Sequence, residues 1–250
     1  MNSTSHTSAN GWRLAFVGLV SALMAGGAVW AWHSGNPASP ANADRAAIEK
    51  VVHDYILAHP EVLPKAMENL QKRETAKQLA GVQDDIEVPF PGAVLGNPAG
   101  KVTLVEFSDF ACTYCRQSEA DVAALVAANP DLKVVVRQLP ILSEQSADAA
   151  RMGLAAARQG RYAAFHHAMY AAGRPDPASI AAAARSAGID LARAQRDMSS
   201  PEIEKEIQGN LEFARQLGFN GTPSWVIGEE IHAGAVGRDV LAEAIAKARG

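Results

Sequence analysis

One stretch of the chain, Val102 to Phe107, reads Val-Thr-Leu-Val-Glu-Phe, nearly continuous in apolar or β-branched residues, and predicts a central strand covered on both faces. Leu132 to Leu139, containing Val134, Val135 and Val136, predicts a second strand. Arg116 to Ala128, between them, is helix-compatible. A strand, a crossover helix and a second strand predict a right-handed βαβ unit.

From Ser143 to Leu217 the pattern becomes a series of short helices. Asp176-Pro177 and Ser200-Pro201 place an N-cap before a proline at the first helical position. Gly160, Gly173 and Gly188 fall where helices stop, and Ala181 to Ala184 is a strongly helix-forming run. Ser224 to Ile227 and Ile231 to Val236 predict a hairpin around Gly228-Glu229-Glu230, and Arg238 to Arg249 a terminal helix. The predicted order is β-α-β, a helical block, then β-β-α, an α/β class. Phe107 and Trp225 are expected in its core, as are Phe165, Met169 and the alanines around them.

Upstream, Ile48, Val52, Tyr55 and Ile56 recur at helical spacing. Pro60 interrupts the pattern, and Leu63, Ala66, Met67 and Leu70 resume it. Residues 44–81 therefore predict two amphipathic helices joined near His59-Pro60. Their apolar stripe either folds back on its own domain or packs on another copy. Gln83 to Gly100, rich in Pro and Gly, predicts a boundary. The resulting domains are 1–43, 44–82 and 83–250, with the helical insertion at about 143–217.

Leu14 to Trp32 is uncharged and apolar, follows Arg13, and is long enough to cross a bilayer. No Lys, Arg, Asp or Glu follows until Asp44, so the N-terminus is expected in the cytoplasm and the remainder outside. An uncleaved anchor is favoured, because Ala41-Asn42-Ala43, an acceptable signal-peptide cleavage site, lies far beyond the run. His33 to Ala43 then serves as a flexible tether. Either form exports the chain to a compartment where disulfides persist. The expected location is the periplasmic side of the inner membrane, or the soluble periplasm after cleavage. With 27 acidic and 23 basic residues, net charge −4 and no basic cluster, nucleic acid is not an expected partner.

The 250 residues contain two cysteines, Cys112 and Cys115, placed between the first strand and its helix. Orphan N–H groups and the macrodipole at a helix N-terminus stabilise a thiolate, the reactive form in disulfide exchange. A structural zinc site normally takes two spaced ligand pairs. No second cysteine pair exists, and the adjacent His166 and His167 lack ligand spacing. With Met169 these histidines suggest copper, but neighbouring helix residues point about a hundred degrees apart. A stabilising staple gains with loop length, and this loop is minimal. A redox-active pair remains.

The motifs Val-Glu-Phe-Ser-Asp-Phe-Ala-Cys-Thr-Tyr-Cys at 105–115 and Gly-Thr-Pro-Ser-Trp-Val-Ile-Gly at 221–228, in this order, resemble the DsbA-type thiol:disulfide oxidoreductases of the thioredoxin superfamily. The resemblance covers roughly residues 88–250. The helices at 44–81 resemble the N-terminal extension of the ScsC branch, which mediates oligomerisation in some members. The implied fold is a thioredoxin fold with an inserted helical domain. The resemblance makes Cys112 the nucleophile and Cys115 the resolving cysteine. It makes Glu106 a buried acid below the disulfide, and Thr222-Pro223 a cis-proline loop facing the pair. Thr222, Pro223, Thr113 and Tyr114 are then the substrate-facing residues, and Asp109 helps turn the chain into the helix. Thr113-Tyr114 departs from the histidine-containing dipeptide of the well-known oxidase. A helix end contributes up to about 2 kcal/mol, a thiol pKa lower by about 1.5. A less acidic thiol than in the histidine form is therefore expected.

The resemblance implies cysteine-containing exported proteins as substrates, a membrane or soluble redox partner, and no organic cofactor. No resident metal is expected. The alternative reading is a copper-sequestering protein that binds Cu(I) through the reduced pair, since soft thiolates suit that ion.

Overall fold

The computed structural model describes residues 40–249. The segment Leu14 to Trp32 lies outside them; among the described residues no helix is long and apolar enough to cross a membrane. Contacts divide the chain into two units, one ending at Met67 and one beginning at Glu68.

The first unit contains helix α1 (Pro40–Ala58) and the start of α2 (Val62–Ala80), broken at Pro60 as the pattern predicts. The backbone N–H of Val62 bonds to His59 O across the break. Helix α1 begins four residues earlier than expected, inside the presumed tether. Ile48, Val51, Val52, Tyr55, Leu57, Leu63 and Met67 are all exposed.

In the second unit, helix α3 (Gln83–Glu87) and strand β1 (Val94–Gly96) occupy the segment read as a boundary. The central strands are β2 (Val102–Ser108) and β3 (Leu132–Gln138), joined through α4 (Thr113–Ala128). Five helices follow: α5 (Glu144–Ala157), α6 (Tyr162–Ala172), α7 (Pro177–Ser186), α8 (Leu191–Met198) and α9 (Pro201–Gln216). The chain closes with β4 (Ser224–Ile227), β5 (Glu230–Ala233) and α10 (Arg238–Ala248). The sheet order is β1-β3-β2-β4-β5, with β2 and β3 parallel and every other pair antiparallel. Strand β1 was illegible because three residues are too short for a period. It pairs Val94 with Val135, and Gly96 sits at φ +75, where an added Cβ would meet Leu132 O at 2.7 Å.

Side chains alternate across the sheet and divide the core in two. On one face Leu104, Val134, Val136 and Trp225 pack with α4, α5 and α6. On the other Val105, Phe107, Val135 and Val226 pack on Leu79, Ile86, Ala214 and Leu217. Leu79 belongs to the end of α2, so that end lies within the second unit.

One cation holds the second face together. Arg137, 3% exposed, donates through Nε to Ile86 O (3.1 Å), through Nη1 to Glu206 Oε1 (2.8 Å) and Asn210 Oδ1 (3.2 Å), and through Nη2 to Val88 O (2.6 Å) and Asp85 O. Its planar fork satisfies carbonyls of the α3 segment and polar side chains of α9 at once.

Candidate active site

Helix α4 begins immediately after Cys112, which serves as its N-cap with extended backbone (φ −78°, ψ 121°). Asp109 makes that start possible. Its Oδ1 accepts from Ala111 N at 2.8 Å, turning the chain as the sequence suggests. Its Oδ2 also accepts from the N–H groups of Ile141 and Leu142 (2.9 and 3.0 Å), a clamp on the loop after β3 that no local pattern announces.

Cys112 Sγ accepts from Cys115 N at 3.5 Å and donates to Thr222 O at 3.1 Å. The Thr222-Pro223 peptide is cis, as the family resemblance implies, and brings the loop of the second motif onto the first. The Cys112 thiol is lowered to about 5. The Cys115 thiol hydrogen-bonded to it contributes most; burial opposes the shift, while the Thr222 side chain and the N–H groups of Cys115 and Tyr114 add to it. The helix end is thus only part of the effect. Cys115, 1% exposed, is pushed far up, by burial first and then by Cys112 and Glu106. The two cysteines therefore differ by environment, the thiol at the helix end lowered and the buried one raised.

Thr222 Oγ1 is buried and has no partner while Cys112 donates to the Thr222 carbonyl. Once Cys112 ionises, that hydroxyl has an acceptor. Thr222→Val is expected to raise the Cys112 pKa by about 0.5–1 by deleting one donor to the charged form. Thiolate absorbance of the reduced protein followed against pH measures it. The parent should titrate near pH 5, with thiolate present above that value and lost below it. An identical midpoint in the variant would remove Thr222 from the site's electrostatics.

Glu106 lies in the middle of β2, opposite Val136 on one side and Trp225 on the other, and is 2% exposed. Burial first, and the Glu119 charge second, raise its carboxyl to about 8. Its Oε2 is buried without a hydrogen-bond partner. Ser108, two residues along the same face, bonds Tyr170 Oη at 2.7 Å, and its hydroxyl acts on both Glu106 and Cys115. Sequence reasoning found Glu106 and missed Ser108, although the period of the strand puts both on the face of the dithiol.

Thr113 and Tyr114 are exposed, as is expected of residues between the cysteines. Among large apolar residues, Tyr114, Ile141 and Leu142 are 61%, 43% and 52% exposed, one beside Cys112 and two on the loop clamped by Asp109. Phe107, Trp225, Phe165 and Met169 are in the core, as the sequence predicts. His166 and His167 reach different oxygens of one carboxylate, that of Glu119, as described below.

A family profile described as DSBA-like thioredoxin domain matches residues 103–246, and one described as copper resistance protein ScsC N-terminal domain matches residues 44–77. A thioredoxin-like oxidoreductase from Silicibacter pomeroyi DSS-3 is 44% identical, covering 62% of this chain and 91% of that one, with a TM-score of 0.60. A linker-deletion mutant of ScsC from Proteus mirabilis is 28% identical, covering 83% of this chain and 95% of that one, with a TM-score of 0.64. Among curated proteins, the Na(+)/H(+) antiporter NhaA 1 of Salinispora arenicola is 28% identical over 182 residues, 69% of this chain and 28% of that protein. The chain spans under a third of the curated relatives it matches, so their transport activity is not carried over. The profile covers more than half of the sequence, and the residues it spans fold into a mixed sheet that holds a cis-proline loop against a paired thiol: the chain belongs to the DSBA-like thioredoxin domain family of thiol:disulfide oxidoreductases.

Proposed function

We propose that the protein is an exported enzyme that exchanges disulfides with cysteine-containing polypeptides of the periplasm through Cys112 and Cys115. The observation that carries this reading is the placement of Cys112 at the start of α4, its thiol 3.1 Å from the Thr222 carbonyl of the cis-proline loop, with Cys115 buried behind it. In the reducing direction the Cys112 thiolate attacks a substrate disulfide. The substrate S–S bond breaks, a Cys112–substrate bond forms, and the departing thiolate takes a proton from water. Cys115 then gives its proton to the Glu106 carboxylate and attacks Cys112 Sγ; the second substrate thiolate leaves and the Cys112–Cys115 disulfide forms. In the oxidising direction the same steps reverse, and Glu106 protonates the departing Cys115. A carboxyl titrating near the working pH serves both directions.

Thr222, Pro223, Thr113 and Tyr114 face the substrate, which is received as an extended strand along the cis-proline loop. Tyr114, Ile141 and Leu142 supply apolar contact for unfolded segments. Turnover of a scrambled, disulfide-bonded protein tests the reading; no turnover by the purified dithiol would reject it. A redox partner, membrane-bound or soluble, sets the net direction, and residues 14–32 anchor the chain on the periplasmic side unless cleaved.

Residues 44–81 bring copies together. Their exposed stripe, Ile48 to Leu70, has side chains 51–71% exposed at Leu63, Val52, Tyr55, Leu70, Ile48 and Met67, an aggregation hazard unless covered. Several dithiols around one substrate raise effective concentration and suit isomerisation. Light scattering on residues 44–250 is expected to give an oligomer; a monomer at tens of micromolar (about the concentration at which a weak self-association would register) would reject self-association. A second reading, Cu(I) binding by the reduced pair, is favoured by the match of residues 44–77 to the copper-resistance domain. Soft thiolates fit that ion.

A further inference from the structure

A second carboxylate stands behind the dithiol, in an environment opposite to that of Glu106. Glu119 lies one helical turn beyond Cys115 on α4. Its Oε1 is 2.6 Å from His166 Nε2 and its Oε2 is 2.8 Å from His167 Nδ1, with Glu119 17%, His166 0% and His167 56% exposed. A carboxylate only accepts, so both ring nitrogens donate. The chain of partners continues inward. Gln138 Nε2 donates to Tyr162 Oη at 2.8 Å, leaving the Tyr162 hydroxyl to donate to His166 Nδ1 at 3.4 Å. His166 is wedged between Phe110, Tyr162 and Tyr170, with ring centroids 5.7, 5.5 and 5.0 Å away. The arrangement fixes a negative charge, with every partner a donor, where the catalytic helix meets α6.

We propose that Glu119, held by His166 and His167 and joined through His166, Tyr162 and Gln138 to the sheet face that carries Ser108 and Glu106, is a positioning residue that acts through Glu106 on the proton transfer from Cys115. The inference rests on the reading of Glu106 as the proton acceptor of Cys115. Two carboxyls whose surroundings push them apart mark out the fixed charge and the proton carrier. Burial, the largest single influence, raises Glu119, but the hydrogen bonds and charge interactions of His166 and His167 together outweigh it and hold the carboxyl below its ordinary range. Glu106 has no comparable donors, an orphan Oε2, and the charge of Glu119 as the second largest influence raising it. The other groups around Glu106 are known. Helix α4 contributes Cys112 and Cys115, with Arg116 next in the chain; α6 contributes Tyr162 and Tyr170, both raised well above the ordinary phenol; β2, β3 and β4 contribute Ser108, Gln138 and Trp225, which do not titrate. In the reduced protein the Cys112 thiolate is a second, weaker influence of the same sign on Glu106; once Cys112 is in a mixed disulfide, Glu119 is the anion that remains.

The test isolates resolution from substrate binding. Reduced protein treated with Ellman's reagent forms a Cys112 mixed disulfide and frees one thionitrobenzoate. Attack by Cys115 on Cys112 then frees the second and closes the disulfide, and stopped-flow absorbance gives its rate against pH. In the parent the rate should climb with a midpoint near pH 8, as Glu106 becomes able to accept the proton. Glu119→Gln keeps the size of the side chain and removes the charge; it should move the midpoint down by about half to one pH unit. Glu119→Asp, which keeps the charge, should restore the parent midpoint. His167→Lys, at an exposed position that does not endanger folding, puts a lasting cation beside Glu119 and should move the midpoint in the same direction by less. A merely structural bridge would change stability and leave the midpoint in place. Midpoints unchanged in both Glu119→Gln and His167→Lys, while Glu106→Gln abolishes the limb, overturn the role of Glu119 alone. A limb that survives Glu106→Gln overturns the proton-acceptor reading beneath it.

Discussion

Replacing Cys115 with alanine is expected to turn the enzyme into a covalent trap: Cys112 still attacks, and nothing remains to release the partner. The reciprocal Cys112→Ala variant should trap at least about 30-fold less at pH 7. An ordinary thiol is only a few per cent ionised there, and burial pushes Cys115 further from ionisation than that, whereas Cys112, even without the Cys115 thiol that contributes most to its lowering, keeps the Thr222 side chain and the N–H groups of residues 114 and 115 that favour its thiolate. Non-reducing gels of each variant incubated with a scrambled protein, quenched by alkylation, compare the two directly. Equal trapping would reverse or dissolve the assignment of attacking and resolving sulfurs. The asymmetry comes from position: Cys112 caps α4 beside Thr222, and Cys115 sits inside the first turn against the sheet.

The second large effect concerns stability. Arg137→Met is expected to cost about 3–5 kcal/mol, because it strands buried partners that have already given up water. Ile86 O, Val88 O, Asp85 O, Asn210 Oδ1 and Glu206 Oε1 would all lose the guanidinium that satisfies them. Burial lowers the Arg137 pKa, but the nearby Glu206 and Asp85 charges favour the cation, and an arginine does not neutralise to escape the site. For a domain of this size the loss corresponds to a fall in melting temperature of about 10 °C. Arg137→Lys should recover little, since a point ammonium cannot serve carbonyls and side-chain oxygens spread across a planar fork. Arg137 shares its sheet face with Phe107 and Val135, away from the dithiol, so the Cys112 titration should stay near 5 in any variant that remains folded. A melting temperature unchanged to within about 2 °C, under about 1 kcal/mol, would show that water replaces the guanidinium without loss.

These two sites differ in how far the chain itself announces them. The dithiol is a local pattern, a strand followed by CxxC and a helix, and part of its chemistry follows from the helix end, the rest from Cys115 and from Thr222. Arg137 breaks an apolar strand, which marks it as unusual, but its partners lie 49 to 73 residues away and no spacing points to them. Strand β1 was missed for a different reason: its identity comes from the β3 edge it completes.

What the sequence determined by itself was whatever depends on residues within a few positions of one another. Periods of 2 and 3.6 along the backbone decide which segments are strands and helices. They account for β2, β3, the hairpin of β4 and β5, the break at Pro60, and the reactive position of Cys112. The tertiary structure decided what each group faces, because burial and pairing depend on contacts between distant segments. Val136 and Trp225 come to flank Glu106 only through sheet register, and this raises an otherwise ordinary carboxyl to about 8. Thr222 meets a sulfur 110 residues before it, and Glu119 meets two histidines 47 and 48 residues after it. Hydrogen bonds and desolvation act over a few ångströms of space, and only the packed chain brings those residues within that range.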